Sequence, residues 1–69
     1  MTKVEPGQLW EWINGAFTGT RFLVMEVNPH PARATGDEWA NVEIQEFVGG
    51  GIRPRQITMT ALRMGAQIL

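Results

Sequence analysis

The sequence predicts an all-β fold, a small, partly open barrel of about five short strands with one 3-10 turn before the last strand. Two observations carry this. Gly 8 and Pro 4 punctuate the 69 residues so densely that no interval between them is long enough for an ordinary helix. The intervals that remain, residues 8–13, 20–28, 39–47, 52–59 and 66–69, are rich in Val, Ile, Phe, Trp and Thr, the composition of strands.

The first two strands meet across Asn14-Gly15, a pair that tolerates the positive φ of a type I′ turn. With Ile13 opposite Ala16, Trp12 faces Phe17 and Trp10 covers Gly19; an irregular loop through the same residues is the alternative. The second strand has two apolar faces, Phe22 and Val24 on one, Leu23, Met25 and Val27 on the other, which predicts a bulge that bends it between two sheets. The third and fourth strands fit a hairpin with a four-residue loop, Val48 to Gly51, pairing Phe47 with Ile52, Glu46 with Arg53, Ile44 with Arg55, Val42 with Ile57 and Ala40 with Met59. One face is then Ala40, Val42, Ile44, Ile57 and Met59 and the other Asn41, Glu43, Gln45, Gln56 and Thr58, so the core side is fixed. Glu46, Arg53 and Arg55 fall on the core side near the tip, where the sheet projects beyond the core. Pro54 has no N–H to give and marks an edge or bulge. Thr58 or Thr60 caps the single turn Thr60-Ala61-Leu62-Arg63 ahead of Gly65.

Composition sets further bounds. The chain, residues 1–69, is a single domain. Cys 0 and His 1 leave neither a disulfide nor a zinc staple, so stability is expected to be marginal, roughly 3 to 5 kcal/mol, unless subunit burial adds to it. No apolar run spans a bilayer and residues 1–6 lack the apolar segment of a signal peptide, so a cytoplasmic location away from membranes is the expectation. Lys+Arg 6 against Asp+Glu 7 argues against a strong phosphate-binding surface.

The opening Pro6-Gly7-Gln8-Leu9-Trp10, the strand from Gly19 through Val27, the strand from Trp39 through Ile44 and the close Ile57-Thr58-Met59-Thr60-Ala61-Leu62-Arg63 together resemble the SH3-like small barrels, in particular short uncharacterised proteins of phages and actinobacteria. The preference for Arg over Lys and the abundance of Ala and Gly agree with a high-GC genome or its phages; the cytoplasm is then the host's. The resemblance implies a fold and no chemistry. Tyr 0 departs from the tyrosine-rich groove of proline-binding SH3 domains.

Catalysis, metal binding and cofactors find no support in the residue patterns. His30 has no second ligand at a suitable spacing, the threonines have no adjacent base, and Gly49-Gly50-Gly51 lacks the Lys-Ser/Thr of a phosphate loop. Asp37-Glu38 and Glu43 with Glu46 read as solvated or alternating carboxylates. The expected function is that of a non-enzymatic module that binds a protein partner or a second copy of itself. Trp39, Phe47, Ile52, Arg53 and Arg55, with Trp12, are its candidate contact residues, because exposed aromatics with guanidinium groups are the usual makings of a binding hot spot. Trp10 is expected in the core, Trp12 and Trp39 at the surface. The alternative is a nucleic-acid-binding barrel using Arg21, Arg53, Arg55 and Arg63 with exposed rings.

Overall fold

A computed structural model describes residues 3–30 and 39–69. Five strands, β1 (Leu9–Trp12), β2 (Arg21–Asn28), β3 (Asn41–Val48), β4 (Gly51–Thr58) and β5 (Ala66–Ile68), pair antiparallel in one open sheet of order β4-β3-β2-β1-β5. A helix, α1 (Met59–Gly65), carries the chain from one edge strand to the other.

Alternation determines β3 and β4 as the sequence predicts. Val42 pairs with Ile57, Ile44 with Arg55, Glu46 with Arg53 and Phe47 with Ile52, and Ala40, Val42, Ile44, Ile57 and Met59 are all buried. The connection is tighter than expected. Val48 pairs with Gly51, which leaves a two-residue turn whose Gly49 and Gly50 have φ of 57° and 81°. Two successive positive φ values are the type I′ requirement, met here by two residues without a Cβ. The ladder also explains Pro54. A two-residue turn makes its flanking pair a hydrogen-bonded one, and every second pair after it; the Met59 N–H donating to the Ala40 carbonyl at 2.9 Å keeps that parity. Pro54 opposite Gln45 is then a non-bonded position, where its missing N–H costs the ladder nothing and faces the open edge.

The bend in β2 is a register shift between Val24 and Glu26. The extra residue, Met25, is exposed, and it transfers the core face from Phe22 and Val24 to Val27, which packs against the same cluster.

Two expectations are corrected. The Asn14-Gly15 hairpin does not form: β1 pairs Trp10 with Phe22 and Glu11 with Arg21, and residues 13–20 make a longer loop. Asn14 keeps a negative φ, so a type I′ turn is closed to it. Instead the backbone N–H groups of Ile13 and Asn14 donate to the Gly65 carbonyl, and the Asn14 side chain donates to the Met64 carbonyl at 3.0 Å. These bonds satisfy the C-terminal end of α1, an attraction that a strand-level pattern does not contain. The turn before β5 is a seven-residue α-helix and not a 3-10 turn. Thr58 caps it, its hydroxyl accepting from the Ala61 N–H at 3.1 Å, and Met59 and Leu62, three apart, bury one face.

The core joins both ends of the chain: Val4, Trp10, Trp12, Phe22, Val24, Ala40, Val42, Ile44, Ile57, Met59, Leu62 and Ala66. Residues 3–8 lie along β2, with the Gly7 N–H donating to the Val24 carbonyl and the Val24 N–H to that of Gln8.

Candidate functional site

The alternation that buries Ile44 also turns Glu46 inward, and Glu46 is fully buried. A carboxylate in that position needs partners. Three side chains from two other strands supply them. Arg53, directly across β4, donates to Oε1 through Nε at 3.1 Å and Nη2 at 2.8 Å. Arg55, two residues on and on the same face, donates through Nη1 to both oxygens at 3.2 and 3.1 Å. The Trp12 indole N–H donates to Oε2 at 2.8 Å. Burial alone pushes the Glu46 carboxyl up; the hydrogen bonds from Arg53, Trp12 and Arg55 outweigh it and hold the group below the ordinary carboxylate value.

The loop between β1 and β2 closes this cluster from above. Both guanidinium carbons lie over the Phe17 ring, 5.1 Å from its centroid for Arg53 and 5.0 Å for Arg55. These are cation–π distances. The two arginine side chains stay 44% and 33% exposed, whereas Glu46 is sealed beneath them. The surface thus shows two guanidinium groups on an aromatic ring, with one net positive charge.

Trp12, expected at the surface, is buried. Its ring packs 4.8 Å from that of Phe22, and a Cβ at Gly65 would come within 3.1 Å of it, so Gly at 65 lets the end of α1 lie against the ring without crowding. Trp12 therefore acts through Glu46 and offers a partner no surface. The other candidates are exposed but do not form one patch. Phe47 and Ile52 are a cross-strand pair on the face opposite the core, beside exposed Val48. Arg53 and Arg55 occupy the same hairpin end on the reverse face. Trp39 is exposed, yet eight residues before Phe47, about 26 Å away at the rise of a strand.

Of the four arginines of the alternative reading, only Arg53 and Arg55 come together. Arg21 sits 3.7 Å from Glu11 on the first hairpin, and Arg63 lies in the last turn of α1. Glu43 and Glu46 take opposite faces of β3, and Asp37-Glu38 lies outside the described residues.

On the outer face, past the bulge, Glu26 stands directly across from Glu43 in a shallow pocket of about 530 Å³ that Met25, Gln45, Pro54 and Gln56 complete. The facing carboxylate, by hydrogen bond and by charge, pushes the Glu26 carboxyl up. Strict alternation within β2 places Glu26 on the face of Phe22 and Val24; the bulge moves it to the outer face. Among the described residues no group of three acidic or His side chains converges to hold a metal ion, and no helix is long and apolar enough to cross a membrane. No family model, curated protein or solved structure matches this chain.

Proposed function

We propose that this chain is an SH3-like, non-enzymatic binding module, encoded by a phage or mobile element and working in the host cytoplasm, which contacts a protein partner through the end of its β3–β4 hairpin. The observation that carries the reading is the exposed apolar pair Phe47 and Ile52 at that end, at 45% and 60% exposure on the outer face, where the other β3–β4 positions apart from Pro54 are polar. An apolar cross-strand pair on the solvent face adds nothing to the core and has a use where another surface covers it. The strand order, the bulged second strand and the helix before the last strand support the SH3-like likeness.

A pull-down from lysate of the native host tests this. Phe47→Ala and Ile52→Ala are expected each to weaken capture of the partner by about 1 to 3 kcal/mol while leaving the folded spectrum intact. A partner retained equally by both variants refutes the surface.

Only Arg53 and Arg55 share an element; Arg21 on β2 and Arg63 on α1 stand apart from them, which weighs against the nucleic-acid reading, since that affinity comes from several phosphates neutralised along one track.

A further inference from the structure

From the geometry around Glu46 we infer that Arg53, Arg55 and Phe17 form a recognition site for an acidic side chain, Asp or Glu, of the protein partner. The inference rests on the protein-partner reading above and names the chemistry of one contact.

Glu46 uses only part of each guanidinium. Arg53 spends Nε and Nη2 and keeps the two hydrogens of Nη1; Arg55 spends Nη1 and keeps Nε and Nη2. Donors left on two guanidinium groups, both partly open to solvent, match the fork that a carboxylate accepts. The site is also built in advance. A fully buried anion and an aromatic ring fix both arginine side chains, so a ligand orders little that is not already ordered. Most surface arginines lack this restraint; Arg21, at 3.7 Å from Glu11 and 60% exposed, is an example.

Charge selects the ligand. The site has one net positive charge, which one carboxylate neutralises. A nucleic-acid strand would need further cations along its path, and Arg21 belongs to another strand and pairs with Glu11. Phe17, 40% exposed, gives the methylene groups of an acidic side chain an apolar surface beside the guanidinium donors.

The test is a titration of the full-length, 15N-labelled protein with hexaglutamate, followed by NMR at the arginine Nε–Hε signals and the Trp12 indole N–H. Saturable shifts at Arg53, Arg55 and Trp12, with Arg21 and Arg63 still, support the site. Arg55→Lys keeps the charge but loses the fork and is expected to weaken binding at least 3-fold. Phe17→Ala leaves all the Glu46 hydrogen bonds in place and is expected to weaken it about 2-fold or more, which keeps the proposal testable should the lysine variant unfold. Still signals at Arg53 and Arg55, equal shifts at every arginine, or tighter binding of a dodecamer of thymidylate overturn it. Loss of partner capture in the Phe47 and Ile52 variants alongside a silent titration would remove this contact and leave the protein-partner reading standing.

Discussion

Glu46 shows how far one side chain can be read from a sequence. Its parity with Val42 and Ile44 puts it on the core side, and its register with Arg53 follows from the same alternation. Its complete burial does not follow, because the cover comes from Trp12, 34 residues away, and from Phe17 in a loop with no period to read. The two perturbed carboxyls give opposite pH signatures. Glu46, held low, contributes stability that is present above its ordinary carboxylate value and is lost as pH falls through its folded value. Glu26, held high, contributes stability below that ordinary value and loses it as pH rises through its folded value. Thermal melts from pH 3 to pH 7 should show Glu46→Gln less stable at neutral pH by about 1 to 3 kcal/mol, with a flatter acid limb. Glu26→Gln should remove the decline just above the ordinary carboxylate range. Curves that run parallel to wild type for both variants contradict these assignments.

At the level of elements, legibility follows periodicity. The β3–β4 hairpin repeats every second residue over two eight-residue strands, and a slip of one would have set Val42 against Thr58, so its register was determined by pattern alone. The first hairpin has a four-residue strand and a strong local turn signal, and there the local signal lost to the carbonyls at the end of α1. The helix is ambiguous in sequence for a related reason: seven residues held by one cap and two buried contacts carry too little pattern to separate α from 3-10. The face assignment of β3 has a direct check. Val42→Asp places an unpaired charge at a site with 0% exposure and should cost several kcal/mol, enough to unfold so small a domain. Glu43→Ala, across from Glu26, should leave the melting temperature unchanged or raise it. Equal melting temperatures for the two variants would mean that the faces are wrong.

For the whole molecule, the number of strands is legible because Gly and Pro interrupt the chain too often for long helices, whereas the order β4-β3-β2-β1-β5 and the packing of residues 3–8 on β2 are not, since they depend on Val4, α1 and a hydrogen bond from Gly7 that no repeat announces. Small size leaves a question of support, as the chain has no Cys for a disulfide. We propose a homodimer. Ile13, Met64, Ile68 and Leu69, all exposed where α1 and β5 meet the first loop, are the apolar groups it would cover. Sedimentation should give twice 7.7 kDa at micromolar concentration; a monomer up to high micromolar concentration removes the proposal. The opposite edge is poorly suited to such pairing, because Pro54 withholds a donor in the middle of β4.

The diglycine turn also bears on the order in which the chain folds. Joining β3 to β4 closes a loop of two residues, while bringing Trp12 to Glu46 must wait for a far longer one. The hairpin is therefore the natural nucleus, forming on the scale of ~1 to 10 μs, and the strands from the two termini dock onto it afterwards. Gly50→Ala, strained at a φ of 81°, should lower the folding rate and leave the unfolding rate nearly untouched in a stopped-flow chevron, the signature of a residue already native-like at the barrier. If the substitution speeds unfolding instead, the turn closes late and the nucleus lies elsewhere.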